Sequence, residues 1–286
     1  MNDEFHGLAI PRAAGETRLK WHRLRRRLAD PLFGRQVMAE GFALGASMEL
    51  DMRVRADHGF AVLHDRDLDG ETTGHGAVSG ATASDMAAMA MKSGGTPPIL
   101  SEDLAGMLPD AHPQALLQFD MKDRLDAIGA RGIDHLRHHF AGAGQKVIVS
   151  ARDLDLIVAV GDALPDVRRG IDPTDKLVTM LQSEGPAAVE RALATDLKGA
   201  TQPDTVYLSW PLLLAAKDRG LDLVALSRDH GVAVDAWTFT LKDEAGFDAR
   251  EAADFSALMA LQPDQITTDE APATERAWAA LKGPER

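Results

Sequence analysis

Residues 146–150 read KVIVS, and residues 154–163 read LDLIVAVGDA. A short apolar, β-prone run gives way to a stretch with helical character, and the same pairing recurs along the chain. The strand-like runs are 17–21, 48–54 (MELDMRV), 60–63, 115–121 (ALLQFDM), 146–150, 206–208, 232–239 (VAVDAWTF) and 265–268. Helical stretches fall between them at 35–44, 125–140, 154–163, 175–180, 186–196, 211–219, 248–260 and 273–281. Strand alternating with helix implies parallel strands joined by crossovers, hence an α/β fold. About eight strands over this length favour a TIM (β/α)8 barrel, with residues 1–286 forming one domain. One segment breaks the rhythm. Residues 65–98 contain LDGETTGHGAVSG and SGGTPP, too long for a simple βα loop, and read as a small insertion after the second strand, at the mouth of the barrel.

The chain has 286 residues, 45% of them apolar, with no Cys and a net charge of −13 from 31 basic and 44 acidic residues. Zero Cys excludes disulfides, Cys-based zinc or iron–sulfur sites and a cysteine nucleophile. The acidic balance argues against a nucleic-acid partner, which is bound by clustered Lys and Arg, but leaves room for a single phosphate held by a local cluster or a metal. The N-terminal MNDEFHGLAIPRAAGE lacks a basic start followed by an apolar run, so no signal peptide is expected. No apolar stretch approaches the ~18 residues of a membrane span. A cytoplasmic location is the resulting expectation.

Chemistry concentrates at strand ends. Glu49 and Asp51 lie two apart, on one face of a strand. Side by side they repel unless a cation lies between them, and oxygen-only ligands select a hard cation, Mg²⁺ or Ca²⁺. FAVLHD ends on His64 and Asp65, at the end of a strand where barrels carry catalytic groups. QFDMK repeats the pattern, with Asp120 and Lys122 sharing a face. His22 and Arg23 close the first weak strand; His suits proton transfer near neutral pH and Arg suits a phosphate. His135, His138 and His139, at helical spacing on a polar stretch, read as helix surface.

Taken together these pieces resemble the glycerophosphodiester phosphodiesterase family of TIM-barrel enzymes. The shared elements are His22-Arg23, Glu49-Leu50-Asp51, His64-Asp65, the loop Leu68-Asp69-Gly70-Glu71-Thr72-Thr73-Gly74, Pro98-Ile99-Leu100, Asp120-Met121-Lys122, Trp237-Thr238 and Thr268-Asp269. The resemblance implies one divalent cation, Mg²⁺ or Ca²⁺, held by Glu49, Asp51 and Asp120. It implies acid–base catalysis by His22 and His64, phosphate contacts from Arg23 and Lys122, and Trp237 near the alcohol portion of a small phosphodiester substrate. The expected reaction is hydrolysis of a glycerophosphodiester to glycerol 3-phosphate and an alcohol, with His22 as base and His64 as acid. Two rivals stand beside it. One is lysophospholipase D-like cleavage of an acylated phosphodiester in an apolar trough of Leu24, Leu32, Phe33, Trp210 and Trp237. The other is an inactive barrel that binds a phosphorylated metabolite.

The chain departs from the family pattern at four places. Leu24 replaces the Gly after His-Arg, where the backbone is not expected to relax as Gly would. Asp30-Pro31-Leu32-Phe33-Gly34 stands where the family has a Pro-Glu-Asn-Thr loop. Gly70 replaces an Arg. Asp120 replaces a commoner Glu and is one methylene shorter.

Overall fold

The computed structural model describes residues 5–283; the first four residues of the N-terminal stretch read for a leader lie outside that range. The strands in chain order are β1 Ala9–Pro11, β2 Glu16–Trp21, β3 Ser47–Val54, β4 Phe60–Val62 and β5 Leu116–Met121. They continue with β6 Val147–Ala151, β7 Arg168–Ile171, β8 Thr205–Ser209, β9 Ala233–Trp237 and β10 Gln265–Thr268. The chain forms two compact units, one of Arg23–Arg25 with Ala29–Arg169, the other of Met1–His22, Arg26–Leu28 and Gly170–Arg286.

In the Ala29–Arg169 unit, β3 and β5 pair in parallel with Asp51 opposite Asp120, and β5 pairs in parallel with β6, Asp120 opposite Ser150. Strand β3 is buried along nearly its whole length. Met48, Leu50 and Met52 fill one face and Glu49, Asp51 and Arg53 the other, as the two-residue period of a strand dictates. The helical segment Leu125–Phe140, kinked at Gly129 where φ is 63°, crosses from β5 towards β6 and buries Ile128, Leu136 and Phe140; Phe140 meets Phe119 of β5 edge-on at 4.9 Å between centroids. Helix Arg35–Leu44 stops at Gly45, whose φ of 77° closes the last turn. A Cβ at Gly45 would come within 2.6 Å of the His112 ring, so only Gly fits this cap. The segment after β4 holds two short helices, Leu68–Glu71 and Ala83–Ala87.

In the other unit, β1 and β2 form an antiparallel hairpin, β2 pairs in parallel with β10, β10 with β9, and β9 with β8. Gly170 and Ile171 of β7 pair in parallel with Thr205 and Val206. Helices Thr174–Ser183, Pro186–Leu197, Trp210–Asp218, Leu223–Asp229, Ala249–Leu261 and Ala271–Lys282 connect or follow these strands. Helix Ala249–Leu261 opens on a reciprocal cap, Asp248 accepting from Glu251 N–H while Glu251 accepts from Asp248 N–H, which satisfies two end donors at once.

Three differences from the sequence reading have local causes. The run at 60–63 is not one of the parallel strands: β4 turns back antiparallel on β3, Met52 opposite Val62. The parallel strand missing from the reading is β7, Arg-Arg-Gly-Ile, which carries too little apolar sequence to announce itself. His135 is not on an open surface: it is half-buried, its Nε2 meeting Ser101 Oγ at 2.7 Å. Among the described residues, no helix is long and apolar enough to cross a membrane.

An ion pair sits in the core of the second unit. Lys20 Nζ of β2 lies 2.7 Å from Asp235 Oδ2 of β9, with side chains 2% and 0% exposed. Asp235 also accepts from Thr267 Oγ1 at 2.7 Å and from the Gln265 amide, and the ammonium lies 4.5 Å from the centre of the Tyr207 ring. A buried pair of this kind stabilises little relative to an apolar pair, but removing one partner strands the other charge. Asp235→Ala is expected to lower unfolding free energy by about 3–5 kcal/mol, measured by urea denaturation. The double variant Lys20→Met/Asp235→Leu should recover most of that loss.

Candidate functional site

Strands β3 and β5 bring Glu49, Asp51 and Asp120 together, one carboxylate oxygen from each lying within 4.8 Å of the other two. Glu49 is 5% and Asp51 1% exposed. Burial first, then repulsion from Asp51 and Asp120, pushes the Glu49 carboxyl well above the usual carboxylate range, against the opposing pull of Lys122 and the Arg23 N–H. Lys122 reaches back from the end of β5, its Nζ 2.7 Å from Asp51 Oδ1 and hydrogen-bonded to Asp120 Oδ2. Burial alone would depress this ammonium, yet Asp120, Asp51 and Glu49 outweigh it and hold its pKa above the ordinary Lys value. Asp51 Oδ2 remains buried without a hydrogen-bond partner, with Arg23 Nε 3.4 Å away. A buried carboxylate oxygen left unsatisfied is costly, and three oxygen donors with an unspent acceptor fit a hard divalent cation.

Arg23 joins this cluster through its backbone. Its N–H donates to Glu49 Oε2 at 2.8 Å, made possible by a left-handed conformation at φ 53°, ψ 41°. Leu24 follows at φ 55°. The Leu at the family's Gly position thus adopts the conformation that Gly would take, contrary to the expectation from its side chain. Phe33, third in the family of left-handed residues here at φ 53°, donates its N–H to Arg23 O at 3.0 Å. The segment replacing the Pro-Glu-Asn-Thr loop therefore holds the turn that carries Arg23. His22, immediately before it in the chain, places Nδ1 2.9 Å from Asp269 Oδ1, and Thr240 Oγ1 donates to Asp269 Oδ2 at 2.9 Å.

His64 lines one cavity of about 360 Å³ with Asp120, Lys122, Arg124 and Arg152. Its Nδ1 lies 3.0 Å from Asp65 Oδ1. Glu71 Oε2 accepts the backbone N–H groups of both His64 and Asp65 at 2.8 Å. Gly70, in place of the family's Arg, is tightly placed: a Cβ there would come within 2.2 Å of Asp65 Oδ2. Arg53, on the same face of β3 and without a motif to mark it, ties these strand ends together. Its Nε and Nη2 donate to His64 O at 2.9 and 2.8 Å, and Nη1 donates to Lys122 O at 3.1 Å and Asp123 Oδ1 at 2.9 Å. The signal that could have found it is the strand period, which carries Glu49 and Asp51 on to Arg53. Asp269 was visible only as half of a Thr-Asp pair; its partnership with His22 spans 247 positions. Trp237, at the end of β9, keeps a buried Nε1–H without a hydrogen-bond partner.

Comparison with known proteins gives the fold and the family. No curated protein sequence matches the chain. Among solved structures, a putative glycerophosphodiester phosphodiesterase from Galdieria sulphuraria is 14% identical, covers 96% of this chain and 99% of its own, and has a TM-score of 0.68. A putative glycerophosphoryl diester phosphodiesterase from Silicibacter pomeroyi is 18% identical over 91% of this chain and 92% of its own, with a TM-score of 0.65. An Oleispira antarctica phosphodiesterase in complex with the product sn-glycerol-3-phosphate is 14% identical over 93% and 96%, with a TM-score of 0.62. At such identities the likeness carries the fold, an α/β TIM barrel. The family model for the glycerophosphoryl diester phosphodiesterase family matches residues 36–272, a span that includes Glu49, Asp51, His64, Asp120, Lys122 and Trp237 and begins after His22 and Arg23. The chain belongs to the glycerophosphoryl diester phosphodiesterase family and is an enzyme of that class.

Proposed function

We propose that the chain acts as one domain over residues 1–286 and hydrolyses glycerophosphodiesters to glycerol 3-phosphate and an alcohol, with one divalent cation, Mg²⁺ or Ca²⁺, at Glu49, Asp51 and Asp120. The observation that carries this reading is the three-carboxylate cluster, Glu49 and Asp51 buried and Asp120 half-buried, with Asp51 Oδ2 lacking a hydrogen bond. A cation there would polarise the phosphodiester and offset charge developing in the transition state. Arg23 and Lys122 supply donors for the non-bridging phosphoryl oxygens. The hydrogen bond from each histidine's Nδ1 to a carboxylate leaves Nε2 as the proton-transfer atom. His22 has the better partner for a base, because the largely buried Asp269, held by Thr240, can stabilise the imidazolium that forms. His64, beside the exposed Asp65, then protonates the leaving alcohol. Trp237 offers an apolar face to the alcohol portion. Leu24 and Phe33 are buried, which withdraws two of the five side chains from the apolar trough that lysophospholipase D-like cleavage needs.

Three measurements test this. Release of glycerol phosphate from glycerophosphocholine should require Mg²⁺ or Ca²⁺, stop with EDTA, and exceed the rate on a lyso-lipid. His22→Ala and His64→Ala should each lower kcat by about 10²–10⁴-fold, and full turnover in both variants would overturn the acid–base assignment. Arg53→Ala should lower kcat by roughly 10–100-fold through misplacement of His64 and Lys122, with a much smaller change in KM and the Ca²⁺ affinity measured by calorimetry unchanged.

A further inference from the structure

Helix Leu125–Phe140 carries His135 and His139 one turn apart, and Glu102 of helix Ser101–Met107 faces them. One ligand atom from each lies within 4.8 Å of the other two. None of the three belongs to the machinery assigned above. His135 Nε2 is 3.9 Å from Glu102 Oε1, and the two imidazole centroids are 4.4 Å apart. Histidines four apart on a helix present their nitrogens on one face, the spacing that chelates zinc. Donors on a tetrahedral zinc with bonds of ~2.0–2.1 Å lie about 3.3 Å from one another, so small side-chain rotations suffice to close the set.

The surroundings suit a cation. Arg55 is buried between two carboxylates, its Nε 2.9 Å from Asp57 Oδ1 and its Nη2 2.7 Å from Glu102 Oε1. Arg55 also donates through Nη1 to Glu102 Oε2 at 3.1 Å, and one guanidinium between two carboxylates leaves the group with one net negative charge. Arg55 also fixes the Glu102 carboxylate from behind, as outer partners do at metal sites. Ser101 Oγ, now 2.7 Å from His135 Nε2, has Glu102 Oε2 as a second acceptor at 3.0 Å and takes the Phe60 N–H at 3.1 Å. It can release the imidazole nitrogen without leaving an orphan. All three ligands are part-exposed, so an ion can enter from solvent.

We propose that Glu102, His135 and His139 form a second metal site that takes a borderline divalent transition ion, Zn²⁺ above all, with water completing the coordination. Two imidazoles and one carboxylate prefer Zn²⁺, Ni²⁺ or Cu²⁺, whereas the all-oxygen set of Glu49, Asp51 and Asp120 prefers Mg²⁺ or Ca²⁺. The chain would thus sort cations by hardness between two places.

The test uses the full chain in saturating Mg²⁺, titrated with Zn²⁺ by calorimetry and with Cu²⁺ by electron paramagnetic resonance. One Zn²⁺ equivalent should bind to the wild type and equally to Asp51→Asn. His139→Ala and, separately, His135→Gln should weaken it at least ~10-fold. The Cu²⁺ spectrum should show couplings from two imidazole nitrogens in the wild type and from one in His139→Ala. Circular dichroism melts establish that each variant is folded, and His139→Gln replaces His139→Ala if it is not. Zn²⁺ binding that both histidine variants retain, or that Asp51→Asn abolishes, would overturn the proposal. Loss of Mg²⁺-dependent turnover in Asp51→Asn bears only on the function proposed above.

Discussion

The structure turns on the cost of burying carboxylates. Glu49, Asp51 and Asp120 are forced together because Asp51 and Asp120 occupy opposed positions of neighbouring parallel strands and Glu49 lies one period away. Removing such groups from water is expensive unless each finds a partner, and nearby elements supply them. Lys122 reaches back from the end of β5 to two of the three, and Arg23 turns its backbone N–H to the third. The left-handed backbone at Arg23 costs roughly 1–2 kcal/mol. A hydrogen bond contributes about 0.5–1.5 kcal/mol, so the contact offsets a good part of the strain that makes it. Asp51 Oδ2 is left with no hydrogen bond, only the Arg23 Nε ion pair at 3.4 Å.

The two histidines are oriented by different means. His22 leans on Asp269, itself held by Thr240 and buried at the end of β10's register. His64 leans on its chain neighbour Asp65, while Glu71 pins the backbone of both. A partner fixed by distant strands holds its histidine more rigidly than a loop neighbour does. That asymmetry is what the proposed roles ask for, His22 as a base whose cation must be stabilised and His64 as an acid that must follow a departing alcohol.

Much of this was legible from period and order alone. Glu49-x-Asp51 and Asp120-x-Lys122 announce shared faces, and most helices stand where apolar spacing puts them. The failures share a physical form. Strand β7 is half polar, so its assignment rests on pairing partners that no local pattern reveals. Strand β4 has the composition of a core strand, yet the tight turn at His58 and Gly59 folds it back on β3. The contact of His22 with Asp269 is set by tertiary structure, as is the half-burial of His135 against Ser101. Arg53 was readable in principle, being the next same-face residue after Asp51, but a lone Arg on a strand declares nothing until its carbonyl partners are known.

Two of the places where the sequence departs from the resemblance bear on one piece of backbone. Leu24 takes the left-handed conformation expected of Gly, and its buried side chain anchors a turn that Gly would leave loose. The Asp30–Gly34 replacement supplies Phe33, whose N–H holds Arg23 O from the other side. Both changes converge on the backbone that feeds Arg23 to Glu49. Gly70, where the family has Arg, leaves room beside Asp65, the residue that orients His64. Random loss would leave the carboxylates without donors and the histidines without partners. Here Leu24, Phe33 and Gly70 each stand beside the support of an ionisable group, and Glu49 and His64 keep their partners.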